Sequence, residues 1–149
     1  MRAVVQRVSC AHVDAEGRTT GRIGPGLLVL LGVERGDSDA DLEYIVGKVA
    51  ELRVFSDGQG KMNLSVTQAG GAILLISQFT LAGDARKGRR PDFGAAAPPE
   101  EARSLYELTA TRLRERGIPV ETGCFGAMMA VYMAGDGPVT ILLDSRKNF

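Results

Sequence analysis

The chain has one histidine, His12. A hydrolase built on Ser-His-Asp or Cys-His would have to use it. It has no HExxH or HxE neighbour, and it falls in a strand pattern near a hairpin, so the expectation is a structural role. Cysteine is almost as scarce. Cys10 and Cys124 are the only two; they fit no CxxC or zinc-ligand spacing and read as reduced thiols of a cytosolic protein. No metal and no cofactor is expected. Net charge is missing too, because 18 basic residues balance 18 acidic ones. A molecule-wide field for a polyanion is thereby excluded, and any such site must come from local clustering. There is no GxxxxGK[ST] loop and no strand-linked GxGxxG, which argues against nucleotide hydrolysis and dinucleotide chemistry. Gly24-Pro25-Gly26 is too short for either. No apolar run approaches the ~20 residues that a membrane helix needs. The opening MRAVVQRVSC is too short and too charged for a signal peptide. The expected location is cytoplasmic.

What is present is enough for a core. With 149 residues, 44% of them hydrophobic, one domain spanning 1–149 is expected. Val4, Val5 and Val8 mark an opening strand. Asp14-Ala15-Glu16-Gly17 reads as a hairpin turn and Thr19–Ile23 as the return strand. Leu27–Val33 is an almost continuous apolar run, the pattern of a strand buried on both faces. Ser38 suits an N-cap, and Leu42, Ile45, Val46 and Val49 follow on one helical face. Arg53–Phe55 reads as a short strand before the Asp57-Gly58 turn. Ala72–Leu81 is a strong strand. A long loop follows over 83–97. Pro98 and Pro99 open a second helix through Leu105, Leu108 and Leu113, and Gly117 closes it. Two last strands, Phe125–Met133 and Val139–Leu143, flank a turn at Gly135-Asp136-Gly137-Pro138. Strands outnumber helices without strict alternation. That favours an α+β fold or a layered mixed sheet, with two helices, over a doubly wound one.

Three groups carry possible chemistry. Ser77, Gln78 and Thr80 are polar residues at the end of a buried strand; they could supply hydroxyl, amide and backbone N–H donors to an oxyanion, or simply end the strand. Asp136 and Asp144 are not paired by spacing as an acid and a base and read as turn or surface groups. The segment Asp84–Asp92 holds four basic and two acidic residues, and the second helix adds Arg112, Arg114 and Arg116. These form either a phosphate-contacting patch or a solvated loop and helix end.

Ser77-Gln78-Phe79-Thr80-Leu81 and Gly137-Pro138-Val139-Thr140 resemble the two signature motifs of the D-aminoacyl-tRNA deacylases. The N-terminal MRAVVQRVS, Gly24–Val33, Gly60-Lys61-Met62-Asn63-Leu64, Gly88-Arg89-Arg90-Pro91, Glu121-Thr122-Gly123 and Phe125-Gly126-Ala127 also resemble that family, in its order, across nearly the whole chain. The sequence departs from the pattern at Gly135, Cys124 and Met128, where Asn, Arg and Asp are usual.

The resemblance implies a β-rich mixed α/β fold, with layered mixed sheets forming a barrel-like core and two helices, and a homodimer acting on aminoacylated tRNA with the active site at the subunit interface. It implies that Ser77, Gln78, Phe79 and Thr80 line the pocket and that Phe125 and Met129 hold the 3′-terminal adenosine. It implies a cis Gly137-Pro138 peptide that reaches into the partner's pocket and excludes L side chains, braced by Arg7. The reaction it implies is hydrolysis of D-aminoacyl-tRNA, and of mischarged glycyl-tRNA. Two alternatives stay open: a catalytically silent tRNA-binding protein, and an editing module for L- or achiral aminoacyl-tRNA on the same fold.

Overall fold

The computed structural model describes all 149 residues. Its frame is one long strand, β1 (Arg2–Ala15). One edge of β1 pairs antiparallel first with β3 (Gly26–Gly32) and then with β2 (Arg18–Ile23). Its other edge pairs along nearly its whole length with β8 (Met129–Asp144). β6 (Ala72–Ser77) lies parallel to β3, and β7 (Val120–Thr122) parallel to β6. The path β2-β1-β3-β6-β7 curls until its ends meet. At Gly21 a Cβ would stand 2.8 Å from the Thr122 carbonyl oxygen, so only glycine allows the approach. The mixed, barrel-like sheet with two helices agrees with the composition of the chain.

The apolar run in β3 is buried on both faces, as its pattern demands. Leu27, Val29 and Leu31, with Ile73 and Leu75 of β6, face the helices and join the larger core. Leu28, Leu74 and Ile76 point the other way, toward Val8, Val13 and Ile23 inside the curled sheet. Helix α1 (Asp39–Glu51) starts at its Ser38 N-cap and buries Leu42, Ile45, Val46 and Val49. Helix α2 (Pro99–Glu115) starts at the two prolines and buries Tyr106, Thr109, Ala110 and Leu113. Neither helix is long and apolar enough to cross a membrane.

Four details differ from the expectations. The strand expected over Ala72–Leu81 stops at Ser77, because Leu31↔Ser77 is its last pair with β3. Gln78 N–H still donates to the Leu31 oxygen at 2.7 Å, and the chain then turns into a 3-10 segment, Phe79–Ala82. The short strand falls at β4 (Phe55–Ser56) instead of Arg53–Phe55, and pairs with an unforeseen β5 (Met62–Leu64). Residues 125–128 are not strand: Ala127 N–H closes a turn on the Cys124 oxygen at 3.2 Å, and Gly126 has φ +79°. Finally, the two last strands are one. Ala134 pairs with Cys10 and Thr140 with Gln6, so Gly135–Pro138 reverses nothing. Residues 136–139 are a bulge between the pairs Val8↔Gly135 and Gln6↔Thr140, and β1 runs on past it.

Candidate active site

The carboxyl ends of β3 and β6 open on a cavity of about 480 Å³. Leu31 and Val33 continue from β3, and Ile76, Ser77, Gln78, Phe79 and Thr80 continue from β6 into the 3-10 segment. Pro99, Ala102 and Tyr106 on α2 close the opposite wall. Phe125–Met129 and Val131 complete the rim. Strand ends are where sheet hydrogen bonding runs out and main-chain groups become available to a ligand, so this is a common place for a site.

No lining residue is charged. The polar groups are the Ser77, Thr80 and Tyr106 hydroxyls and the Gln78 amide. Tyr106 is committed: its hydroxyl donates to the Leu75 oxygen at 2.8 Å. Burial pushes its phenol up to about 12, against a hydrogen bond from the Gly123 backbone, so it stays neutral at physiological pH. Gln78 Nε2 donates to Thr80 Oγ1, which leaves the Thr80 proton free to be donated. No imidazole or carboxylate lines the cavity to take that proton, and a threonine without a base is a weak nucleophile. The first N–H groups of the 3-10 segment, those of Phe79 and Thr80, have no carbonyl partner inside it. They are free to donate to a ligand oxygen.

Aromatic packing holds the rim. Phe125 lies 5.7 Å from the Tyr106 ring, with the Arg103 guanidinium 4.7 Å above its centroid. Phe79 meets Phe93 edge-on at 5.3 Å. Met129 packs against Gly123, where a Cβ would stand 2.7 Å from its sulfur.

The structure thus gathers Ser77, Gln78, Phe79, Thr80, Phe125 and Met129 around one cavity and leaves Arg7, Gly137 and Pro138 outside it. Those three stand together elsewhere. Between the pairs Gln6↔Thr140 and Val8↔Gly135, residues 136–139 face Arg7 alone. Arg7 Nε donates to the Asp136 main-chain oxygen at 3.1 Å and lies 3.0 Å from its carboxylate. Arg7 also donates to the Val54 oxygen. The Gly137-Pro138 peptide is cis, and Gly137 has φ +130°. Both residues are exposed. His12 is elsewhere again, stacked on Tyr132 at 4.6 Å. Both thiols are free, and no three His, Cys, Asp or Glu side chains gather as a metal site.

Sequence reasoning missed the whole α2 wall. Ala102 and Tyr106 are one turn apart, and the phenol of Tyr106 on the buried stripe of α2 was the available signal.

The family described as D-Tyr-tRNA(Tyr) deacylase matches residues 4–144. The chain belongs to that family. Among D-Tyr-tRNA(Tyr) deacylase relatives, a D-aminoacyl-tRNA deacylase from Anaeromyxobacter dehalogenans is 60% identical over 149 residues, covering 100% of both chains. One from Desulfitobacterium hafniense is 58% identical with the same coverage. A solved structure of a c-Myc DNA Unwinding Element Binding Protein superposes with a TM-score of 0.92 at 44% identity, covering 97% of this chain and 98% of that one. A probable eukaryotic D-amino acid tRNA deacylase superposes with a TM-score of 0.80 at 20% identity, covering 95% and 97%. At that identity the likeness is one of fold.

Proposed function

We propose that the chain, acting as one domain in the cytoplasm, hydrolyses the ester of D-aminoacyl-tRNA. Water adds to the carbonyl carbon, the ester C–O bond breaks, and a D-amino acid and a tRNA with a free terminal hydroxyl leave. Glycyl-tRNA, with no side chain to exclude, is a second substrate. The observation that carries this reading is an uncharged cavity, lined by Ser77–Thr80 and Phe125–Met129, that holds donors but no acid–base pair. Such a site stabilises charge and leaves proton transfer to the substrate. The ribose 2′-hydroxyl of the terminal adenosine, held beside Phe125 and Met129, helps activate the water. The N–H groups of Phe79 and Thr80 receive the oxyanion.

Chirality is read by a second copy of the chain. The Gly137-Pro138 tip of one protomer enters the cavity of its partner, where main-chain oxygens hold the substrate's α-amino group and a rigid wall excludes an L side chain. The surface of β8 supports this arrangement. One edge of the strand is unpaired, and Val131, Tyr132, Met133 and Leu142 are exposed on it. A run of apolar side chains beside an open strand edge is a typical self-association surface.

The test is the release of D-tyrosine from D-Tyr-tRNA against L-tyrosine from L-Tyr-tRNA. The expected result is rapid loss of the D ester with the L ester untouched; equal hydrolysis of both removes the chiral wall, and hydrolysis of neither by a tRNA-binding dimer removes the enzyme. Thr80→Ala distinguishes placement from chemistry. Its turnover should fall by no more than about tenfold, the loss of one neutral hydrogen bond. Complete loss with intact substrate binding would make Thr80 the nucleophile.

A further inference from the structure

The basic cluster, made of the 84–92 loop and the arginines of α2, has no part in the reading so far. The structure separates its two halves. The helix arginines are spent within the protein: Arg112 pairs with Glu43 and Glu115, Arg116 with Glu51, and Arg114 donates to the Val120 oxygen. The loop is different. Arg86 is tied to Asp84 at 2.6 Å, but Lys87, Arg89 and Arg90 are exposed and meet no carboxylate. In a chain of zero net charge, three unpaired cations within four residues are a concentration that the fold does not use.

Their placement is fixed. Asp84 and Asp92 exchange backbone hydrogen bonds at 2.7 and 2.9 Å, closing residues 85–91 into a loop on a stem. That stem is the direct continuation of the 3-10 segment, whose C-cap is Gly83. On its far side Phe93 packs against Phe79, a cavity-lining residue. Gly83 lets the ring settle, since a Cβ there would stand 2.9 Å from it. A loop of this length reaches roughly 10 Å from its stem. The cations therefore project from the wall of the cavity that holds Phe79 and Thr80.

We propose that Lys87, Arg89 and Arg90 clamp the backbone phosphates of the tRNA acceptor strand just outside the cavity, an inference that rests on the deacylase reading above. The aminoacyl ester enters the uncharged cavity, and the phosphates that precede it stay outside it, where this loop offers three exposed cations without a carboxylate partner. Contacts to phosphate carry affinity and register without reading sequence, which suits an enzyme that has to act on many tRNAs.

The test compares the wild type with Lys87→Ala/Arg89→Ala/Arg90→Ala on two substrates: D-Tyr-tRNA, and D-tyrosine esterified to adenosine, which carries no phosphate. Both are assayed between about 50 and 200 mM salt, the range in which counterion release is resolved. For D-Tyr-tRNA the triple variant should lose about tenfold in kcat/KM at low salt, mostly in KM. Its log–log salt slope should be shallower by about 2, at roughly 0.7–0.9 for each phosphate that is no longer neutralised. On the adenosine ester the loss should be under about twofold, since no phosphate remains to be neutralised. An unchanged KM and slope on tRNA, or an equal loss on both substrates, overturns the inference. If the wild type hydrolyses neither substrate, the deacylase reading falls by itself. Affinity for uncharged tRNA then decides the clamp by the same tenfold loss and slope. The variant's melting temperature should match the wild type's, because these side chains hold nothing else.

Discussion

Gly137→Ala loses about a hundredfold in turnover of D-Tyr-tRNA while the protomer stays folded. A Cβ at this position would lie 2.9 Å from both the Val139 nitrogen and its Cγ2, and 3.3 Å from an Arg7 terminal nitrogen. The backbone has φ +130°, a region that L side chains rarely adopt. Main-chain atoms cannot swing aside, so the bulge has to shift by a fraction of an ångström, and Arg7 shifts with it. A displacement of ~1 Å in a positioning group is enough to cost ~10²-fold in rate. The fold tolerates the change because the bulge is exposed and the pairs on either side, Gln6↔Thr140 and Cys10↔Ala134, do not depend on it. Single-turnover kinetics alongside a melting curve checks both halves. Activity within threefold of wild type would mean that the bulge does not take part in catalysis.

Gly26→Ala should instead strongly destabilise the fold. Gly26 begins β3 opposite Ala72 of β6. Its Cβ would stand 1.9 Å from the Ala72 oxygen and 2.8 Å from the Ala72 carbon and nitrogen. All three are backbone atoms of a strand buried on both faces, so relief requires separating β3 from β6. The loss should exceed ~4 kcal/mol, the upper end for single substitutions. In a chain of this size that lowers the melting temperature by roughly 10 °C or more. Gly24→Ala is the control. A Cβ there meets nothing within 4 Å, and the change should stay within ~0.5 kcal/mol. Urea unfolding of the two variants is the measurement, and a loss under ~1 kcal/mol at Gly26 contradicts the geometry.

Local signals in the chain foretold local structure well. Ser38 ahead of Leu42, Ile45, Val46 and Val49 is a cap and a stripe, and each is a property of neighbouring residues. The run in β3 was legible for the same reason: seven residues without a polar side chain leave no face for water. What failed to show depended on distant partners. Ser77 ends β6 only because β3 runs out at Gly32. Gly135–Pro138 has the composition of a hairpin turn, and nothing nearby says that β1 continues past it as a single partner strand. Tyr106 belongs to the cavity because α2 crosses the end of β6, a tertiary fact. The arginines make the same point. Arg89 and Arg112 are both basic, and only the fold brings Glu43 to one of them. The motifs around Ser77–Thr80 and Gly137–Thr140 were readable by resemblance; the alanine, proline and tyrosine of α2 that face the first of them were not.

Because β3 and β6 are packed on both faces, the floor of the cavity is the part of the molecule slowest to open. Amides of Leu28, Leu30, Leu74 and Ile76 should be among the last to exchange with deuterium, releasing only when the whole molecule unfolds. The residues that line the cavity then hang from a platform that opens only with the whole molecule, so the shape of the cavity floor is present before any ligand arrives.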